Sequence, residues 1–135
     1  MEKEVVAVRD LIVQQAKHFL TEAGAFYPFG ALLKTDGSLA LIGIEDAEDV
    51  EPAKMVERLE RQVWEQLAGG EALVGGIGVD LILRFSAETA PTDAVHIRLL
   101  AHYGYAIDYF ITYRLAEDRL ICDPLFDNEG TLTLE

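Results

Sequence analysis

The apolar residues of this chain change period along its length, and that change restricts the fold more than any single motif does. Between about Glu2 and Ala23, Val5, Val8, Ile12, Ala16, Phe19 and Ala23 recur at three- and four-residue steps, with Val6, Val13 and Leu20 widening the stripe. Such spacing is that of an amphipathic helix, and Gly24 follows where a left-handed C-cap costs least. A second stripe of Met55, Val56, Leu59, Val63 and Leu67 starts behind Pro52, a favoured first helical residue, and ends at Gly69-Gly70. Trp64 lies off that stripe.

Elsewhere the period is two. Apolar runs from Phe26 to Lys34 and from Ser38 to Ile44 flank Thr35-Asp36-Gly37, which predicts a hairpin. Pro28 lacks an N–H, which places it at a strand start or facing an open edge. Past residue 72, Ile77, Val79, Leu81, Leu83 and Phe85 alternate against Gly78, Asp80, Ile82 and Arg84. Val95, Ile97, Leu99, Ala101 and Tyr103 then alternate against His96, Arg98, Leu100 and His102. A turn near Gly104 returns the chain through Tyr105 to Arg114, and a last extended piece around Leu120 to Phe126 is broken by Pro124. The order is α-β-β-α-β-β-β, shared with profilin-like and roadblock-like domains. It predicts one α+β domain over residues 1–135, an antiparallel sheet of about five strands with both helices on one face.

Charge and cysteine content narrow the function classes. The chain carries 24 acidic against 11 basic residues, a net charge of −13. Such a surface repels phosphate backbones and anionic lipid, so neither nucleic acid nor membrane is an expected partner. Cys122 is the only cysteine, which excludes an intramolecular disulfide and a cysteine-based zinc cage. Met1-Glu2-Lys3-Glu4 leads directly into the first helix without the marks of a signal peptide, and no apolar run is long enough to span a bilayer. The cytoplasm is the expected location.

Few residues offer chemistry. His96 and His102 are six apart on one strand, about 20 Å at the usual rise, too far to share a metal ion. Asp80 or Asp108 on a neighbouring strand could orient one of them as a general base. For Asp108 the register at Gly104 decides. A turn centred between Tyr103 and Gly104 turns Asp108 away; one centred on Gly104 brings it to the histidine face. The bland alternative makes this set the solvated side of a half-covered sheet.

His18, opposite the first helical stripe, reads as a solvated helix residue. Tyr103, Tyr105, Tyr109, Tyr113 and Phe110 read as cross-strand packing or, on an uncovered face, as a sticky patch. Glu45 to Glu51 holds five carboxylates in seven residues but lacks the spacing of a calcium loop, so no metal is expected. Gly75-Gly76-Ile77-Gly78 enters a strand rather than a helix and reads as strand twist or a bulge. Cys122 has the context of a small buried hydrophobe. No cofactor is implied.

The segment Phe26-Tyr27-Pro28-Phe29-Gly30-Ala31, followed by Asp36-Gly37, Asp93-Ala94-Val95-His96-Ile97 and Pro124-Leu125-Phe126, resembles a group of small, uncharacterised, mostly bacterial proteins. The resemblance implies that the Tyr-Pro-Phe-Gly-Ala segment is a fixed feature, and Tyr27 and Phe29 join His96, His102, Asp80 and Asp108 as candidate binding residues. The expected function is a noncatalytic interaction domain, immunity-like or regulatory. It would bind a less acidic protein partner and form a homodimer through a sheet edge or aromatic face. The alternative is a small enzyme or ligand-binding domain using a histidine/aspartate pair between sheet and helices, one histidine titrating away from about 6.5.

Overall fold

Helix α1 spans Lys3–Ala23 and buries Val5, Val8, Ile12, Ala16 and Leu20, the core of the stripe read from the sequence. Each buried Val, Leu or Ile contributes about 1.5–3 kcal/mol. Gly24, at φ +78°, ends the helix with its N–H on Leu20 O. The structure, a computed structural model, describes residues 3–43, 47–84, 86–88, 90–101, 106–127 and 133–134.

Pro28 directly precedes strand β1 (Phe29–Lys34), which turns through Thr35-Asp36-Gly37 into β2 (Leu39–Ile42). Gly37 takes φ +91°, and Asp36 Oδ1 accepts from Ser38 N at 2.9 Å and Ser38 Oγ at 2.6 Å. The chain then passes through a 3-10 turn at Ala47–Asp49 into α2 (Pro52–Ala68), which buries Met55, Leu59, Val63 and Leu67. Strands β3 (Ala72–Arg84), β4 (Thr92–Ala101) and β5 (Ala106–Ala116) follow, then β6 (Arg119–Cys122) and the two-residue pieces β7 (Phe126–Asp127) and β8 (Thr133–Leu134). The class and the element order match the sequence expectation.

All described strands join one antiparallel sheet of order β2-β1-β3-β4-β5-β6, eight strands in all, with β7 also on β5 and β8 on β3. The expected five are its backbone. The broken final stretch lies along the outer edge of β5, first as β6 and then as β7. Asp123-Pro124-Leu125 absorbs one extra residue between them. Asp123 holds that bulge to β5, its N–H on Thr112 O at 2.9 Å and its Oδ2 accepting from Thr112 Oγ1 at 2.6 Å.

The expectation that both helices cover one face is overturned. α1 packs on Phe29, Ala31, Leu33, Val74, Val95, Ile97, Leu99, Tyr109, Ile111 and Tyr113. α2 packs on Leu32, Ile77 and Leu100, which alternate with the first set and therefore point the other way. The glycine run shows why two helices fit. A Cβ at Gly75 would overlap Val63 Cγ1 of α2, while one at Gly76 would lie 2.7 Å from Ile12 Cδ1 of α1 and one at Gly78 2.9 Å from Ile12 Cγ2. Strand β3 is thus a central strand stripped of side chains on alternate faces so that a helix can approach each. Close helix–strand contact, rather than twist, accounts for the run.

A third small cluster of Leu83, Ala94 and Phe110, with Leu81 and Phe126 against it, lies on the α2 face. Among the described residues no helix is long and apolar enough to cross a membrane.

Candidate functional site

The polar residues of β4 and β5 come together on the α2 face. The register pairs Arg98 with Asp108 and His96 with Phe110, which is neither of the two expected registers: each β4 residue meets a β5 partner two positions earlier than in the alternative centred on Gly104, an even shift that preserves the face. Asp108 is nonetheless on the histidine face. Its Oδ1 lies 2.8 Å from His96 Nε2 and accepts from Arg98 Nε at 2.9 Å, and its Oδ2 accepts from Arg98 Nη2 at 3.2 Å. Arg98 Nη1 donates to Glu60 Oε1 of α2 at 3.1 Å, tying helix to sheet.

Burial works against the Asp108 charge, but the hydrogen bonds from His96 and Arg98 outweigh it and hold the carboxyl well below the usual range. The bond to Asp108 likewise pushes the Arg98 guanidinium up. An ionised carboxylate only accepts, so the proton shared with His96 sits on Nε2. The imidazole stacks on Phe110, centroids 4.8 Å apart and planes 10° from parallel. Both Asp108 oxygens and one face of the ring are thereby engaged within the protein. That is a fastening between β4, β5 and α2 more than a base waiting for substrate.

Asp80 does not join them. It pairs Val95 across the sheet and so lies on the α1 face, opposite His96, which removes it as a partner of His96. Tyr113 Oη donates to Asp80 Oδ1 at 2.5 Å, and Phe26 N to Oδ2 at 3.4 Å. Burial pushes the Asp80 carboxyl up against these two bonds. Burial, then the bond to Asp80, raises the Tyr113 phenol. The pair anchors the segment after α1 to the sheet.

Tyr109 and Tyr113 are buried beneath α1 and serve as packing. His102, Tyr103 and Tyr105 lie outside the described residues, as do Glu45 and Asp46 of the acidic run. Glu48, Asp49 and Glu51 are exposed, and among the described residues no group of three His, Cys, Asp or Glu side chains is placed to hold a metal ion. His18 is exposed, as expected. Cys122 is half-buried, and burial pushes its thiol up.

The open surface lies at the other end of the sheet. Tyr27 and Phe29 line an apolar cleft of about 630 Å³ with Phe19, Phe26, Pro28 and Gly43. Its aromatic wall is built edge to face, Phe19 and Phe26 lying 5.4 and 5.5 Å from Phe29. The Asp80–Phe26 bond holds that wall in place.

Beside it runs β2. Lys34 N bonds Ser38 O at 2.8 Å, so Leu32–Ala40 and Gly30–Ile42 are the hydrogen-bonded pairs of the register. Leu39 and Leu41 therefore turn their N–H and C=O groups away from β1. Among the described residues no strand lies beyond β2. Leu39 and Leu41 are also 46% and 48% exposed, and Tyr27 53%. The run Leu39–Ile42 carries no lysine, proline or bulge, the usual guards of an edge.

Sequence reasoning found Tyr27 and Phe29 but missed Leu39 and Leu41, because nothing local marks which hairpin strand will be the outer one. Residues Phe26 to Phe29 form the cleft wall. The chain finds no match among protein-family models, curated proteins or solved structures.

Proposed function

We propose that this chain is a noncatalytic interaction domain of the cytoplasm, immunity-like or regulatory. It takes an extended segment of a less acidic protein partner along β2, with one apolar side chain in the neighbouring aromatic cleft. The observation that carries this reading is the unguarded β2 edge, whose outward backbone groups, unpaired among the described residues, and half-exposed leucines adjoin the apolar cleft. Strand addition supplies affinity through main-chain bonds and selectivity through alternate side chains. A homodimer formed by pairing two β2 edges about a two-fold axis would use the same groups.

The test compares affinity capture by the wild type, the Leu39→Lys/Leu41→Lys variant and His96→Ala, each checked for folding by thermal melt. A co-purifying protein lost from the edge variant and kept by His96→Ala is the expected result. The reverse pattern would sink the reading. It would favour instead a small enzyme or ligand-binding domain using His96, the reading that the 2.8 Å contact with Asp108 supports.

A further inference from the structure

We propose that the β2 edge receives a basic extended segment of another protein, with apolar side chains at every second position and Lys or Arg between them. This rests on edge docking as proposed above and names the chemistry of what docks.

The two sides of β2 differ in character. On the α1 face stand the side chains of Leu39 and Leu41, and the aromatic cleft reaches the strand at Gly43. On the α2 face Ala40 and Ile42 border a second concavity, about 390 Å³, walled by Gln62, Glu65 and Gln66 of α2 with Lys34 also on its lining. Successive side chains of an added strand point to opposite faces. One set therefore lies against leucine and phenylalanine, and the other against amide and carboxylate groups.

Charge decides what that second set carries. Lys34 and Glu65, of opposite charge, both line the concavity, while Glu48, Asp49 and Glu51, which follow β2 in the chain, are exposed. The cations of the bound segment accordingly meet a surface of net negative charge. A second copy of the chain brings another −13 charge to the same edge, so long-range repulsion opposes it while a basic segment is drawn in.

Two ten-residue peptides test this, one alternating Val or Phe with Lys and its twin with Glu in place of Lys. Affinity is read by fluorescence anisotropy and location by amide shifts of Leu39 and Leu41. At 50 mM salt the Lys peptide should bind at least ~10-fold more tightly than the Glu twin, and the gap should narrow at 500 mM as screening rises. Glu48→Gln/Asp49→Asn/Glu51→Gln should remove most of the preference. Equal binding of both peptides at β2 would overturn the basic-segment inference and leave edge docking standing. No shift at Leu39 and Leu41 with either peptide would overturn both. A sedimenting dimer whose β2 amides are already protected would assign the edge to a second copy and overturn the inference as well.

Discussion

Replacing Gly75 by alanine puts a methyl group where α2 touches the central strand. The new Cβ would overlap Val63 Cγ1 and lie 3.1 Å from Leu32 Cδ2 and 3.3 Å from Val63 Cγ2. Overfilling a packed core costs about 1–3 kcal/mol. Against this, the loss of glycine's freedom in the unfolded chain returns about 0.5–1 kcal/mol. The net is a loss of up to about 2.5 kcal/mol, a fall in Tm of up to roughly 10 °C for a chain of this size.

Val63→Ala removes both clashing methyls, so the double variant should be more stable than the two single losses sum to, with a coupling of about 1 kcal/mol or more by urea unfolding. Ile12→Val, which deletes the atom nearest a Cβ at Gly76 on the opposite face, should relieve Gly76→Ala and leave Gly75→Ala unrelieved. Rescue of Gly75→Ala by Ile12→Val, with none from Val63→Ala, would refute two-sided packing.

Three further changes follow from the polar contacts and turns. Asp108 is held below its ordinary value, so its contribution is present above about pH 4 and lost as pH falls through its folded value. Asp108→Asn should lower Tm at pH 7 and flatten the acid limb of a Tm–pH profile. Tyr113→Phe deprives half-buried Asp80 of its 2.5 Å donor at about 1–2 kcal/mol. Asp80 sits above its ordinary value, so its folded form is favoured at low pH and loses that advantage as pH rises. The Tyr113→Phe loss, measured by urea unfolding, should therefore be larger at pH 7 than at pH 4. Glu117 and Asp118 both adopt positive φ, 50° and 66°, in the two-residue turn between β5 and β6. Glu117→Asn/Asp118→Gly supplies the residues such a turn favours and should raise stability by about 0.5–1.5 kcal/mol in a thermal melt.

What the sequence made legible is what local physics governs. The stripes of both helices, the Asp36-Gly37 hairpin, Pro28 at a strand start and the break at Pro124 all depend on periods and turn residues within a few positions. The faces chosen by the helices depend on β3, and there the pattern misleads. Gly75, Gly76 and Gly78 carry no side chain to announce a buried face, so a strand covered on both sides reads as one covered on a single side. Asp80 needed the β3–β4 register, which pairs it with Val95 and so sets it opposite His96, and the fastening of Arg98 by Glu60 comes from a helix distant in sequence. Asp108 was within reach, because its side of the strand needed only the parity of the register: neither candidate register is the one found, but the one centred on Gly104 shares its parity. The leucines of β2 needed the strand order, which no local signal carries.

Hydrogen exchange of the four β2 amides in the free chain tests most directly whether this edge is open. Slow exchange at Ala40 and Ile42, bonded to β1, with fast exchange at Leu39 and Leu41, and protection of the latter two once an extended partner segment is added, is the expected pattern. Equal protection at all four positions in dilute free protein would show the edge already paired and contradict the account.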